Sequence, residues 1–213
     1  MNNGKLISFE GIEGVGKSTT INYIKKFLEK NNIDVYCTRE PGGTKFGESI
    51  RDILLSNKSV ISPEAELLLI FAIRNQHIMD VIIPKLKNGT WVLCDRFIDA
   101  SFAYQGYGKK VNLKKIESLV DNFTKKVIPD LTIFFNLPHN LAKNRFPRNK
   151  NKDRFENLSD VFFNDVYNGY MKLVSENKKR IKSIDANQNK DSVQKQIIRE
   201  LAAAFEEIEK LVV

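Results

Sequence analysis

Apolar residues recur along this chain in two rhythms, and where one gives way to the other most of the elements can be placed. Lys5-Leu6-Ile7-Ser8-Phe9-Glu10 is short and mostly apolar, the pattern of a buried strand, and residues 19–30 follow with Ile21, Ile24, Phe27 and Leu28 at helical spacing. Asn31-Asn32 reads as a stop, residues 33–38 as a second strand, 39–44 as a loop and 46–55 as a helix. Ser62-Pro63-Glu64 combines an N-cap, a first-turn proline and an early acid, opening a long helix toward Leu86 that Pro84 kinks or ends. Gly89 stops that helix. Trp91-Val92-Leu93-Cys94 is again a compact buried run, with Trp91 expected in the core. A helix is predicted over 113–123, a strand over 131–136 and a helix from Pro138. Residues 144–153 lose all hydrophobic periodicity. The pattern resumes with a helix over 158–174, a strand at 181–184 and one closing amphipathic helix over 191–211.

Strands alternating with crossover helices imply a parallel sheet covered on both faces, here with five strands. The expected class is therefore α/β, a three-layer arrangement in a single domain spanning residues 1–213, interrupted by a mobile loop near 144–156. Ligands of such sheets bind at the carboxyl ends of the strands. The segments after strands one to four should then face one crevice.

Composition narrows the class. With 42% hydrophobic residues in 213, a sizeable single core is available. No apolar run approaches the eighteen or so residues that span a bilayer, the first strand starts too early for a signal peptide, and a cytoplasmic protein is expected. Cys37 and Cys94 lie in apolar strand-like runs, as buried thiols do in a reducing compartment. His77 and His139 lack ligand spacing and read as solvent or capping residues. The net charge of +8 favours anionic partners, but the lysines are scattered along helices like solvated faces, so nucleic acid is not expected.

Between the first strand and first helix stands Gly11-Ile12-Glu13-Gly14-Val15-Gly16-Lys17-Ser18, followed by Thr19: a complete G-x-x-x-x-G-K-[ST] phosphate loop in its required context. The glycines free the backbone to turn N–H groups around a phosphate at a helix N-terminus. Lys17 would reach the terminal phosphates, and Ser18 would place its hydroxyl on a magnesium ion bridging them. Asp95-Arg96 ends the third strand at the Walker-B position. No Asn-Lys-x-Asp and no Asp-x-x-Gly occurs, which argues against a switch GTPase. Thr38-Arg39-Glu40-Pro41-Gly42-Gly43-Thr44, Arg51, Arg74, Asp95-Arg96 and Ser101-Phe102-Ala103-Tyr104-Gln105-Gly106 supply forks, an acid, hydroxyls, an amide and a ring. That set suits a nucleoside monophosphate.

On these segments, with Arg74-Asn75-Gln76-His77, the chain resembles the thymidylate kinases, bacterial members of the P-loop nucleoside monophosphate kinases, over nearly its whole length. The resemblance implies ATP-dependent conversion of dTMP to dTDP with magnesium, and a homodimer formed through helices away from the site. It implies that Arg51 and Arg96 approach the acceptor phosphate, that Arg74 and Gln105 read thymine, that Tyr104 lies under the deoxyribose and that Ser101 sits near the base. Asp95 and Ser18 would hold magnesium, and Glu13 and Glu40 would position metal, water or acceptor. Asp185-Ala186 ends the last strand where the family contacts adenine through backbone.

Two departures follow. The phosphate loop holds no arginine, so the catalytic one must come from the lid: Arg148 first, with Arg145 toward ATP and Arg154, Lys150 and Lys152 nearby. Four residues before Arg74, where the family stacks Phe or Tyr on the base, stands Ile70, with Phe71 next; either takes the role. A kinase of another monophosphate or nucleoside, and a nucleotide-dependent binding protein without phosphoryl transfer, are the competing readings.

Overall fold

The computed structural model describes residues 4–145 and 153–212. Strands β1 (Leu6–Glu10), β2 (Val35–Arg39), β3 (Trp91–Asp95), β4 (Leu131–Asn136) and β5 (Ile181–Asp185) form one parallel sheet in the order β2-β3-β1-β4-β5. All of β1 is buried, which is why it reads as a continuous apolar run. Successive side chains leave opposite faces of the sheet and divide between two cores. Ile7, Phe9, Leu93 and Ile133 join Ile24 and Leu28 of α1 (Lys17–Lys30) and Ile197 and Leu201 of α9 (Lys190–Ala204). Leu6, Val92 and Cys94 join Leu67 and Phe71 of α3 (Pro63–His77) and Ile116 and Val120 of α6 (Leu113–Phe123). The sheet is thus the middle of three layers. α2 (Lys45–Leu55) packs on α3 through Leu54 and Ile73, and α7 (His139–Ala142) runs into a 3₁₀ turn, Lys143–Arg145.

Three predicted elements differ. The helix opened by Ser62 does not end at Pro84: α3 passes through a π-turn, Ile78–Ile82, into α4 (Ile83–Lys87). Proline can give no N–H to the carbonyl four residues back and crowds it, and a wider turn just before it relieves both conflicts. The resulting 25-residue run, Pro63–Lys87, is long and apolar enough to cross a membrane by length and composition, contrary to the expectation for any segment. Leu67, Ile70, Phe71, Ile73, Ile78 and Ile82 of this run are buried in the cores and Leu68 and Met79 are exposed, while Arg74 and His77 lie buried beside the core positions.

The segment after Arg96, read only as motif, is helical: α5 (Ile98–Ser101) leads into a π-helical stretch, Phe102–Gly108, with α8 (Asp160–Glu176) packed along it. The closing helix is two, α9 and α10 (Glu206–Val212), parted at Phe205, whose extended backbone (φ −136°) lets its ring pack 4.9 Å from Trp91.

Candidate active site

The carboxyl ends of β1, β2 and β3, with α3 and the 98–108 segment, enclose a cavity of about 460 Å³. Glu13, Gly14, Gly16, Lys17, Ser18 and Thr19 line one end; Ile70, Arg74, Ser101 and Gln105 line the other; Glu40, Arg51, Asp95, Arg96 and Tyr104 lie between. The segments after β1, β2 and β3 therefore share one cavity as expected, whereas the segment after β4, from Asn136 onward, does not line it.

At the phosphate end, Gly16 caps α1 at φ 96° and Gly14 has φ 77°, both in the left-handed region that a Cβ makes costly. Ile12 and Val15 bury their side chains in the core beside α1, so they offer a phosphate only backbone, as does Gly11. Lys17 is itself buried and donates from Nζ to the carbonyl oxygens of Ile12 at 2.9 Å and Gly11 at 3.2 Å. Burial first, then the nearby Arg96 charge, lowers its pKa.

Arg96 stands at φ 67°, a conformation that costs a non-glycine residue about 1–2 kcal/mol. The turn is held on both sides: Arg96 N donates to the Phe9 carbonyl at 3.0 Å, and Phe97 N donates to Glu10 Oε1 at 2.7 Å. The guanidinium lies over the Tyr104 ring, 4.8 Å from its centroid, with Nη2 2.5 Å from Glu13 Oε1 and Nη1 donating to Tyr170 OH at 3.3 Å. Tyr104 OH donates to Glu13 Oε2 at 2.9 Å. Burial opposes ionisation of Glu13, but Arg96 and Lys17 outweigh it and hold its pKa at about 2. Glu13 is thus a partner of the arginine that the resemblance sends to the acceptor phosphate. Arg51, half-buried, donates to the Pro41 carbonyl at 2.6 Å, and burial lowers its pKa.

The other end is built from buried polar side chains. Arg74 is 1% exposed and donates from Nε to Glu40 Oε2 at 2.6 Å, from Nη1 to Ser101 Oγ at 2.9 Å and from Nη2 to the Phe97 carbonyl at 3.0 Å. Each Nη keeps one further N–H, and Arg74 lines the cavity. Glu40 Oε1 is 3.0 Å from Nδ1 of His77, whose Nε2 is 2.8 Å from Thr38 Oγ1. A carboxylate only accepts, so Nδ1 carries the proton that faces Glu40. His77 is fully buried, a structural partner of Glu40 and not the solvent or capping residue expected; a Cβ on Gly43 would strike its ring at 2.5 Å.

Four expectations are corrected or fall elsewhere. Ile70 lines the cavity, whereas Phe71, one residue on and so turned by about 100°, packs into the second core and lies 4.7 Å beneath the Arg74 guanidinium. Arg154 is engaged away from any phosphate: Nε donates to the Leu54 carbonyl at 2.7 Å and Nη2 to Glu66. Arg145 donates to the Ala186 carbonyl at 2.7 Å, at the end of β5 where the resemblance puts adenine. Arg148, with Lys150 and Lys152, lies outside the described residues.

Other residues of the site went unread. Glu10 sits at 0% exposure beneath Arg96, accepting from Phe97 N and, at 2.7 Å, from Tyr170 OH. Burial, then Asp99, raises its pKa to about 7. Asp99 is clamped by both Nη atoms of Arg180, at 2.6 and 2.8 Å. Glu66 is equally buried, and a signal for it existed: 66, 70, 74 and 77 form one face of α3.

Asp95 and Ser18 suit a divalent cation. Asp95 Oδ1 is buried with no hydrogen-bond partner, an orphaned acceptor beside the phosphate loop, and Ser18 lines the same cavity. Among the described residues no group of three or more His, Cys, Asp or Glu could hold a metal ion.

Residues 9–197 match the family model described as thymidylate kinase. A thymidylate kinase of Vesicomyosocius okutanii is 46% identical over 198 residues, covering 92% of this chain and 97% of the relative, and one of Kosmotoga olearia is 41% identical, covering 95% and 97%. The crystal structure of thymidylate kinase from Ehrlichia chaffeensis superposes with a TM-score of 0.77 at 29% identity, covering 93% of this chain and 99% of that one. With a phosphate loop, a Walker-B acid and a buried arginine-amide pocket in one cavity, the chain belongs to the thymidylate kinase family.

Proposed function

We propose that this chain transfers the γ-phosphoryl group of ATP to dTMP, giving dTDP for dTTP synthesis, as a single kinase domain. The observation that supports this most is the shared cavity, which joins the phosphate loop to a pocket with donors from Arg74 and an amide from Gln105. A phosphate oxygen of dTMP attacks the γ-phosphorus and ADP leaves, with little covalent work for the protein. The loop's N–H groups and Lys17 hold the ATP phosphates, and Lys17 exchanges its carbonyl partners for phosphate oxygens. Arg96 and Arg51 bring the acceptor phosphate into line; Arg96 gives up Glu13 to do so, and Glu13 remains to orient the acceptor or water. Magnesium is the ion proposed for Asp95 and Ser18, which would hold it where it would neutralise phosphate charge. Arg145, by Ala186, faces the adenine side, and Arg148 is the proposed lid arginine on sequence grounds alone.

Toward the base, Arg74 donates to O4 of thymine, Gln105 meets N3–H, Ser101 lies by the ring, Ile70 supplies an aliphatic platform and Tyr104 packs by the sugar. A homodimer is proposed through the outer face of α3, the π-turn after it and the end of α6, where Leu68, Met79 and Phe123 are exposed; sedimentation should give twice the chain mass, and Leu68→Lys should halve it. Free Cys37 and Cys94 suit the cytoplasmic location proposed here.

The test is ADP release with ATP and magnesium, comparing dTMP, dUMP, dCMP, dGMP and no acceptor. Release dependent on dTMP and abolished in Lys17→Ala is expected. Preference for another acceptor would replace the base assignment, and release from none would favour a nucleotide-binding protein.

A further inference from the structure

Glu66 is fully buried on α3, one turn before Ile70, among partners from two other segments. Gln105 Nε2 donates to its Oε1 at 3.0 Å; Lys109 Nζ donates to its Oε2 at 2.6 Å, and Arg154 Nη2 to the same oxygen. A carboxylate paired with two cations offers acceptors only. The Gln105 side chain, itself 2% exposed and lining the cavity, must therefore turn its NH₂ to Glu66 and leave its carbonyl oxygen to the cavity.

We infer that Glu66 is a positioning residue that fixes the amide of Gln105 and so sets base preference, presenting an acceptor to a ring N–H and rejecting a base with a ring-nitrogen acceptor there. The inference rests on the proposed reading of the cavity as a thymine-nucleotide site. Thymine and uracil carry a donor at N3; cytosine carries an acceptor, and two facing acceptors leave a buried polar group unpaired. That mismatch is the kind that discriminates strongly, because desolvation is not recovered. Lys109 and Arg154 act one step further out, holding Glu66 itself.

Glu66→Gln keeps the shape but can donate as well as accept, which frees Gln105 to turn over. In this variant KM for dTMP should rise about tenfold with kcat within about twofold, and the preference for dTMP over dCMP should narrow by about tenfold or more. Lys109→Met, which loses a cation but keeps the Glu66–Gln105 bond, should leave that preference unchanged. A preference unchanged in Glu66→Gln overturns the inference. A second readout needs no variant that must fold: the Gln105 side-chain amide protons of the wild-type enzyme, assigned by their absence in Gln105→Met, should resist exchange before nucleotide is added. Free exchange that is slowed only by dTMP would overturn it too. Absence of dTMP turnover in the wild type would instead contradict the proposed activity, while amide exchange would still report on the Glu66–Gln105 bond.

Discussion

At the phosphate end of the cavity, Lys17 and Arg96 are held by the loop they serve, through the carbonyls of Gly11 and Ile12 and the carboxylate of Glu13. At the base end, Arg74 is held by Glu40, Ser101 and Phe97, residues 34, 27 and 23 positions away in sequence. The first set of partners is exchangeable for phosphate oxygens. The second belongs to the fold, tying α3 to the ends of β2 and β3, and is preorganised before any base arrives. Substitutions at the two ends should therefore fail differently: one loses turnover from an intact protein, the other loses stability and recognition together.

The largest effect expected is on turnover. Lys17→Ala should lower kcat by roughly a thousandfold in the ADP-release assay, while its thermal midpoint stays close to wild type. Arg74→Leu should show the opposite character: removing one partner of a buried ion pair leaves Glu40 uncompensated, and urea unfolding should show a loss of about 3–5 kcal/mol. A stable Arg74→Leu protein, or an unfolded Lys17→Ala one, would break the distinction.

Glu10 sharpens it, because it supports the phosphate end from within the fold. Its carboxyl is raised from 4.5 to about 7, so between those values the folded state binds more protons than the unfolded one, and Glu10's contribution to stability falls as pH rises. Over that window the wild type should lose up to about 3 kcal/mol relative to Glu10→Gln, which does not titrate. Denaturant melts at pH 4.5 and pH 8 compare the two; a difference independent of pH would contradict the assignment. The smallest effect concerns the platform. Ile70→Tyr should lower KM for dTMP by about fivefold, the worth of about 1 kcal/mol from ring stacking, with kcat unchanged.

The same contrast explains what could be read from the chain. The phosphate loop is local: strand, glycines, Lys17 and Ser18 follow one another, and periodicity placed them together. Arg74, Gln105 and Arg96 were recognisable through the resemblance, with motifs that lie together in space because β3 and α3 end beside β1. Glu66, Glu10 and Asp99 were missed because a buried acid in a short window looks like any other; only the packing of partners up to 160 positions away, as with Tyr170 and Glu10, separates them. The spacing of 66, 70, 74 and 77 would have put Glu66 on the Arg74 face. The choice between Ile70 and Phe71 needed the rotation of α3 about its axis, which the apolar run 67–71 leaves undetermined because it is hydrophobic all round. The passage through Pro84 needed the π-turn, for which apolar periodicity has no signal.

The most direct test of the division between the two ends is calorimetric titration of dTMP into Lys17→Ala. If recognition is built into the fold and Lys17 serves the transferred phosphate, dTMP affinity should stay within about threefold of wild type while turnover is lost. Affinity falling in step with turnover would contradict the account.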